Sequence, residues 1–297
     1  MNVIDQLLSG IEKGDFLSVA RGLTLVENEL QDSGRLLKSI QINPSVPIIG
    51  ITGPPGAGKS TLVNALLGTL VSQDKRIAVL AVDPTSPFNF GSLLGDRIRM
   101  SAQFNNENVF IRSIATRGSV GGLSSKIIEM CDVLRASTFD LVIVETVGVG
   151  QSEIEVAGLA DKVIVVLVPE AGDEIQHIKS GLMEIGNAFV VNKADRDGAD
   201  SFANRLVKML HNGRVEVPVF KTIAEKGLGV NELLEWILSG SVNSDDRKLF
   251  LYLEKSYKLI QNKRMLNVDK AQLLHELNHK IQKGQFNLYQ FVEEFDK

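Results

Sequence analysis

The sequence predicts an α/β fold, a mainly parallel sheet flanked by helices on both faces, with helical extensions at its N- and C-terminal ends. Three observations predict it. Apolar runs of strand length alternate with helical patterns through the middle of the chain, a glycine-rich loop joins the first such run to the first such helix, and both flanking regions carry helical spacing. Parallel sheets are covered on both faces, so their strands read as near-continuous apolar runs rather than as alternations.

Taken in order, the first region has Leu7, Leu8, Ile11 and then Leu23, Leu25 and Val26 at helical intervals up to about Ile40, and Asn43-Pro44-Ser45 ends the pattern. Residues 1–43 are therefore expected to form an N-terminal helical segment capping the next domain. That domain is expected over 44–240, opening with the strand Ile48-Ile49-Gly50-Ile51. Further strands are expected at 77–82, 109–112, 141–145, 163–168, 189–192 and 217–222. Pro218 lacks an N–H for a ladder and places the last of these towards an edge. After Gly240-Ser241-Val242-Asn243-Ser244 the composition turns to long polar helices at 247–262 and 270–283. Leu249, Leu253, Tyr257 and Ile260 form one apolar stripe on the first of them, suited either to packing on the parent domain or to a partner, and 241–297 is read as a C-terminal extension.

The loop after the first strand is Gly53-Pro54-Pro55-Gly56-Ala57-Gly58-Lys59-Ser60, followed by the helical Thr61-Leu62-Val63-Asn64. It fits the phosphate-binding pattern G-x-x-x-x-G-K-S/T in its strand-loop-helix context, which makes the fold that of a P-loop NTPase. The glycines let backbone N–H groups approach phosphate oxygens without an obstructing Cβ, and the helix presents its positive end. Lys59 is suited to neutralise β and γ phosphates. The Ser60 hydroxyl is suited to Mg²⁺, a hard cation that takes oxygen ligands and bridges the same phosphates.

A second signal bears on the base. The buried-type strand Phe189-Val190-Val191 runs into Asn192-Lys193-Ala194-Asp195, the N-K-x-D pattern of guanine-binding proteins. The Asp195 carboxylate can accept from guanine N1–H and from the exocyclic amino group, neither of which adenine offers. A site built on such a bond rejects the wrong base by about 10⁴-fold. Asn192 would support the loop and the Lys193 stem would lie on the ring face. Alone, N-K-A-D is a common solvated loop; an apolar strand before it and a phosphate loop upstream give it meaning.

The third element is Leu141-Val142-Ile143-Val144 ending in Glu145, an acid at a strand tip where a Walker B acid stands, near Mg²⁺ or its water. Gly148, three residues on, is placed to offer an unhindered N–H to a γ-phosphate, which makes the segment a candidate switch. The bland reading of Gly148 and Gly150 is an ordinary turn.

Four further stretches carry a resemblance: Ala81-Val82-Asp83-Pro84-Thr85-Ser86-Pro87, Gly95-Asp96-Arg97-Ile98-Arg99-Met100, Glu145-Thr146-Val147-Gly148-Val149-Gly150-Gln151 and Gly172-Asp173-Glu174. Over about residues 46–240 the chain resembles the MeaB/ArgK/MMAA family of P-loop GTPases, which chaperone adenosylcobalamin-dependent acyl-CoA mutases, chiefly methylmalonyl-CoA mutase. The resemblance implies that Asp83 and Asp96 join Ser60 and Glu145 around Mg²⁺, and that switch elements lie at 96–100, 145–151 and 170–181. It also implies that Lys221-Thr222-Ile223-Ala224-Glu225-Lys226 is the second guanine-contacting loop and that the C-terminal helices form a homodimer arm. Glu170 stands where the family commonly has glycine, and Phe88-Asn89-Phe90 replaces a Thr-Gly-Gly-like stretch. Without the resemblance, Asp83 before Pro84 reads as a turn residue and Asp96 as part of a charged helix face. Ile111 to Gly118 is implied to lie near the site, with no role assigned to Arg117.

Bulk properties limit the alternatives. The chain has 297 residues, 44% of them hydrophobic and 23% charged, and a formal net charge of −4. That is enough for a sizeable core. A mildly acidic chain without a basic run lacks the charge that gives nucleic-acid binding its affinity. No apolar stretch reaches membrane-spanning length and no signal core follows Met1, so the expectation is a cytoplasmic protein. Cys131 is the single cysteine, and the histidines at 177, 211, 275 and 279 form no dense cluster; His275 and His279 read as surface residues.

The expected activity is hydrolysis of GTP to GDP and phosphate. Lys59, Asp96 and Glu145 are the candidate catalytic groups, and 53–61, Gly148, Asn192, Lys193 and Asp195 the candidate nucleotide-binding ones. The resemblance implies that this activity gates adenosylcobalamin loading of a mutase and protects or reactivates it. Two alternatives stand beside it: a metal-insertion GTPase, which the sparse His and Cys content disfavours, and an ArgK-like phosphotransferase.

Overall fold

The computed structural model describes residues 3–83, 103, 105–115, 126–146, 152–169, 180–210, 217–240, 245–264, 268–282, 284 and 286–295. It divides into two compact units, Met1–Asp245 and Asp246–Lys297.

In the first unit the apolar runs pair as one parallel seven-stranded sheet: β1 (Ile48–Thr52), β2 (Ile77–Asp83), β3 (Val109–Ala115), β4 (Leu141–Glu145), β5 (Lys162–Leu167), β6 (Ala188–Val191) and β7 (Val219–Lys221). The order across the sheet is β3-β2-β4-β1-β5-β6-β7. The expected strands are all present; β4 has the expected ends and the others are shifted by one to three residues. β3 runs on to Ala115 because it stays in register with β2 from Ile77↔Val109 to Asp83↔Ala115. β7 is only Val219–Lys221 and forms an edge, as Pro218 requires. Pro218 still accepts through its carbonyl, from the Phe189 N–H at 2.9 Å.

The first unit carries nine α-helices among the described residues: α1 (Val3–Glu12), α2 (Phe16–Glu27), α3 (Ser33–Ser39), α4 (Lys59–Ser72), α5 (Ile127–Arg135), α6 (Ser152–Leu159), α7 (Ser180–Ile185), α8 (Ala199–Leu210) and α9 (Val230–Leu238). Helices cover both faces. On one face Leu62, Leu66 and Leu70 of α4, with Leu233 and Ile237 of α9, bury Ile49, Ile51, Ile143, Ile164 and Val166 of the sheet. On the other, Gly50 leaves room for α6: a Cβ there would stand 2.7 Å from Val156 Cγ2. This is the P-loop NTPase arrangement that the alternation of elements predicts.

The N-terminal helices cap one side of that core. Ile11, Val19, Leu23 and Leu36 are wholly buried, and Glu27 of α2 receives Arg112 of β3 at 2.7 Å. Asp15 caps α2 by accepting from the Ser18 N–H at 2.9 Å and its hydroxyl at 2.6 Å, and these bonds hold its carboxyl below the ordinary carboxylate range. Arg135 donates to Val46 O at 2.8 Å and pairs with Asp161 at 3.1 Å, while Asp161 accepts from Ile48 N at 2.7 Å. The start of β1 is thereby pinned before the chain reaches the phosphate loop. Cys131 lies fully buried in α5, where desolvation pushes its thiol up, out of the reactive range.

The second unit holds α10 (Asp245–Arg264), α11 (Lys270–Gln282) and α12 (Leu288–Phe295). The polar composition after 244 predicts the first two; α12 is a short aromatic-rich helix whose Phe291 is buried between Phe286 and Phe295. On α10, Leu249, Leu253, Tyr257 and Ile260 are 69, 61, 67 and 53% exposed. Among the described residues no helix is long and apolar enough to cross a membrane.

Candidate nucleotide site

All seven strands point the same way, so their C-terminal ends share one edge of the sheet, the place where such folds collect ligands. The phosphate loop leaves β1 at the middle of that edge. Gly53 has φ 137°, and a Cβ on it would lie 2.1 Å from Val166 O, so only glycine fits the close pass over β5. Gly58 caps α4 in the left-handed region at φ 87°, which turns the chain sharply into the helix. Lys59 is buried and folds back over the loop, donating from Nζ to Gly53 O at 2.9 Å and Pro54 O at 3.1 Å. Its ammonium is held above the concave side of the loop by those carbonyls.

Beside the loop, Ser60 donates from Oγ to Glu145 Oε1 at 2.7 Å, and both are buried. Register explains the meeting: β1 and β4 are neighbours with Ile51 opposite Glu145, so the acid projects towards the first turn of α4. A hydroxyl and a carboxylate side by side are an oxygen donor set, which suits a hard cation such as Mg²⁺. Asp83 ends β2, which is paired with β4, so its backbone stands on the same side of the site. Its side chain, and the whole of Asp96 and Gly148, lie outside the described residues, as do Glu170 and the stretch 88–90. Among the described residues no group of three or more His, Cys, Asp or Glu could hold a metal ion, and His275 and His279 are exposed.

On the other flank β6 delivers Asn192, 2% exposed. Asn192 donates from Nδ2 to Ala57 O at 2.9 Å and accepts at Oδ1 from Thr222 Oγ1 at 3.0 Å and the Ala224 N–H at 3.2 Å. The phosphate loop and the loop after β7 thus meet on this one amide. Lys193 takes a left-handed backbone at φ 55°, a conformation costing a non-glycine residue about 1–2 kcal/mol, and its Nζ donates to Gly56 O at 2.8 Å. The lysine stem then lies beside a cavity of about 220 Å³ bounded by Gly58, Thr61, Asp195, Arg196, Ala224 and Glu225. Asp195 stands half-exposed at its rim, with Lys226 Nζ 3.3 Å from Oδ2. The Ala224–Lys226 turn that brings Lys226 there lies within the 221–226 loop that the family resemblance implies, and the left-handed Gly227 and Gly229 close it.

The structure thus brings together 53–61, Glu145, Asn192, Lys193, Asp195 and the 221–226 loop around one edge. The glycine-rich loop, the Ser60–Glu145 oxygen pair and the cavity rimmed by Asp195 share that edge.

Comparison with known proteins decides the family. The model of the methylmalonyl Co-A mutase-associated GTPase MeaB matches residues 19–246. The chain belongs to the MeaB family. Among curated relatives, PH0274 of Pyrococcus horikoshii is 44% identical over 272 residues, covering 89% of this chain and 83% of its own. GTPase ArgK of Escherichia coli is 39% identical over 199 residues, covering 65% of this chain and 60% of its own. Methylmalonic aciduria type A homolog, mitochondrial, of Mus musculus is 37% identical over 209 residues, covering 65% of this chain and 50% of its own. A crystal structure of an LAO/AO transport system kinase superposes with a TM-score of 0.69 at 25% identity, covering 100% of this chain and 98% of that one. As a MeaB-family GTPase the protein binds guanine nucleotide and hydrolyses GTP.

The convergence on Asn192 gives a direct test. A Cβ at Gly58 would lie 2.4 Å from Asn192 Nδ2, and the φ of 87° is strained for any other residue. Gly58→Ala is expected to weaken GDP binding at least about tenfold while leaving the far-ultraviolet circular dichroism unchanged. Titration with a fluorescent GDP analogue measures it, and wild-type affinity would show that the phosphate loop does not depend on the Asn192 contact.

Proposed function

We propose that this GTPase serves as a chaperone of an adenosylcobalamin-dependent acyl-CoA mutase, its nucleotide cycle gating cofactor loading and protecting or reactivating the client. The observation that carries the reading is the MeaB family match over 19–246, which takes in part of the N-terminal helical cap as well as the nucleotide machinery. The family description associates its members with methylmalonyl-CoA mutase, and the mouse relative is named for methylmalonic aciduria.

In the proposed mechanism the backbone of 53–58 and the start of α4 hold the phosphates, Thr61 among the first-turn contacts, and Lys59 neutralises the β and γ oxygens. Ser60, Asp83, Asp96 and Glu145 hold Mg²⁺ directly or through water. Mg²⁺ held there would supply a Lewis acid's positive charge to the phosphates. Gly148 reports the γ-phosphate through its N–H. Water attacks the γ phosphorus, the bond to the β–γ bridging oxygen breaks, and the proton of the attacking water passes to the phosphate released. Lys59 and the loop amides stabilise the charge that develops on the bridging oxygen. Asp195 accepts from guanine N1–H and its amino group, Lys193 covers one face of the ring, and Asn192 holds both loops around it. The exposed stripe of Leu249, Leu253, Tyr257 and Ile260 suits a homodimer arm, since four large apolar side chains on one face of a helix gain by burial against a like face.

Adding the acyl-CoA mutases of the same genome one at a time is expected to raise GTP hydrolysis several-fold with one of them, relative to the protein alone and after subtracting a Lys59→Ala control. No rise with any mutase, beside an intact basal rate, would transfer support to metal insertion or to phosphotransfer. Asp195→Asn replaces an acceptor by a donor that matches the O2 of xanthine, so GTP affinity is expected to fall about 10²-fold and XTP affinity to rise. A variant that still prefers GTP would remove Asp195 from base recognition. Sedimentation at micromolar concentration is expected to give twice the mass of one chain, and the mass of a single chain would end the dimer proposal.

A further inference from the structure

Thr52 ends β1 immediately before Gly53, and Thr146 follows Glu145 at the end of β4. The Thr146 N–H extends the ladder between these strands, donating to Ile51 O at 3.0 Å. Continuing the Ile51↔Glu145 register by one residue sets the two threonines side by side. Successive residues of a strand face opposite sides of the sheet. Glu145 faces α4, where it meets Ser60, and the threonines face the side on which Gly50 makes room for α6. There Thr146 Oγ1 donates to Thr52 Oγ1 at 2.9 Å, with the residues 2 and 0% exposed.

Their neighbours along the same face are apolar: Ile48 on β1, Val142 and Val144 on β4, all buried. Valine has nearly the shape of threonine, so packing on this face is satisfied without the hydroxyls. The hydroxyls add direction. Each fixes the χ1 of the other, and together with the Thr146 N–H bond they give the step after Glu145 a side-chain and a backbone attachment to the strand that carries the phosphate loop.

We propose that the Thr52–Thr146 bond is a positioning device for hydrolysis: it keeps the Glu145 carboxylate at a fixed distance from the phosphate loop by tying the residue after one to the residue before the other. Both threonines act through their neighbours, their hydroxyls bonded to each other on the face opposite Ser60 and Glu145. The proposal rests on the reading of Glu145 as the acid beside the triphosphate. Nucleotide binding draws mainly on the loop, Lys59 and the base pocket, so the bond acts on turnover more than on affinity.

The test compares Thr146→Val, Thr146→Ser, Thr52→Val and the double valine variant by kcat and KM for GTP, Kd for GDP and the urea midpoint. Thr146→Val is expected to lower kcat about tenfold with the GDP Kd within about threefold of wild type. Thr146→Ser, which keeps the hydroxyl, is expected to retain kcat within about twofold, and the double variant to lose no more than the larger single loss. The proposal is overturned if Thr146→Val keeps its kcat, if the serine variant falls as far as the valine one, or if the single losses add. Should Thr146→Val not fold, Thr52→Val against Thr146→Ser decides in the same way. A Glu145→Gln variant with wild-type hydrolysis would instead sink the reading of Glu145 itself.

Discussion

The nucleotide site depends on the buried side chain of Asn192. Its amide is the only described group bonded at once to the phosphate loop, through Ala57 O, and to the loop after β7, through Thr222 Oγ1 and the Ala224 N–H. Neither attachment alone would suffice. A phosphate cradle holds any nucleoside triphosphate, and a carboxylate on a loop discriminates between bases only if its distance from the cradle matches the length of the nucleotide. By joining the two through one rigid planar group, the fold sets that distance. The geometry is demanding: Gly58 must lack a Cβ because Asn192 Nδ2 occupies its place, and Lys193 must adopt a left-handed backbone directly after Asn192. A strained residue beside a fully bonded one is the pattern expected where the surroundings over-determine the chain.

The sheet carries this constraint outward. Because every strand is parallel, each βα connection returns to the same edge, and lateral position alone decides what a loop can touch. β1 at the centre leads into 53–61, β4 and β2 on one side end at Glu145 and Asp83, and β6 and β7 on the other lead into Asn192–Asp195 and the 221–226 loop. The opposite end of the sheet has a different task. Arg135, Asp161 and the Ile48 N–H fix the start of β1, and Lys162 caps the last carbonyls of α9, bonding to Trp236 O at 2.7 Å and Ile237 O at 3.0 Å. Burial pushes the Lys162 ammonium down from its usual range, and the carbonyls it meets offset that desolvation.

Much of this was legible in the sequence because it is written in local patterns. Apolar runs of four to six residues predict the strands, Pro218 the edge, and the two short motifs the phosphate loop and the base-recognition loop. Strand ends were less legible: β3 continues to Ala115 because β2 lies beside it, and no local feature of Arg112 to Ala115 says so. The contacts between motifs were not legible at all. That Ser60 meets Glu145, Asn192 meets Ala57 and Lys226 meets Asp195 follows from strand order, which pairs residues 31 to 135 positions apart. Thr52 and Thr146 show the limit best, since each alone reads as an ordinary β-branched residue ending a strand. α12 was missed for a related reason: its single buried residue, Phe291, is held by two other phenylalanines rather than by a long helical stripe.

The two flanks of the site are attached to the phosphate loop in different ways. The base flank reaches the phosphate loop through two side chains, Asn192 to Ala57 O and Lys193 to Gly56 O, and Thr222 and Ala224 tie the loop after β7 to the same Asn192 amide. The acid flank is attached by the pairing of β4 with β1 and, at the tip, by the Ser60–Glu145 bond, the Thr146 N–H and the hydroxyl pair behind it. The two attachments meet the loop at different places, so a displacement at Glu145 is felt first at Ser60 in the first turn of α4, and one at Asn192 is felt first at Ala57.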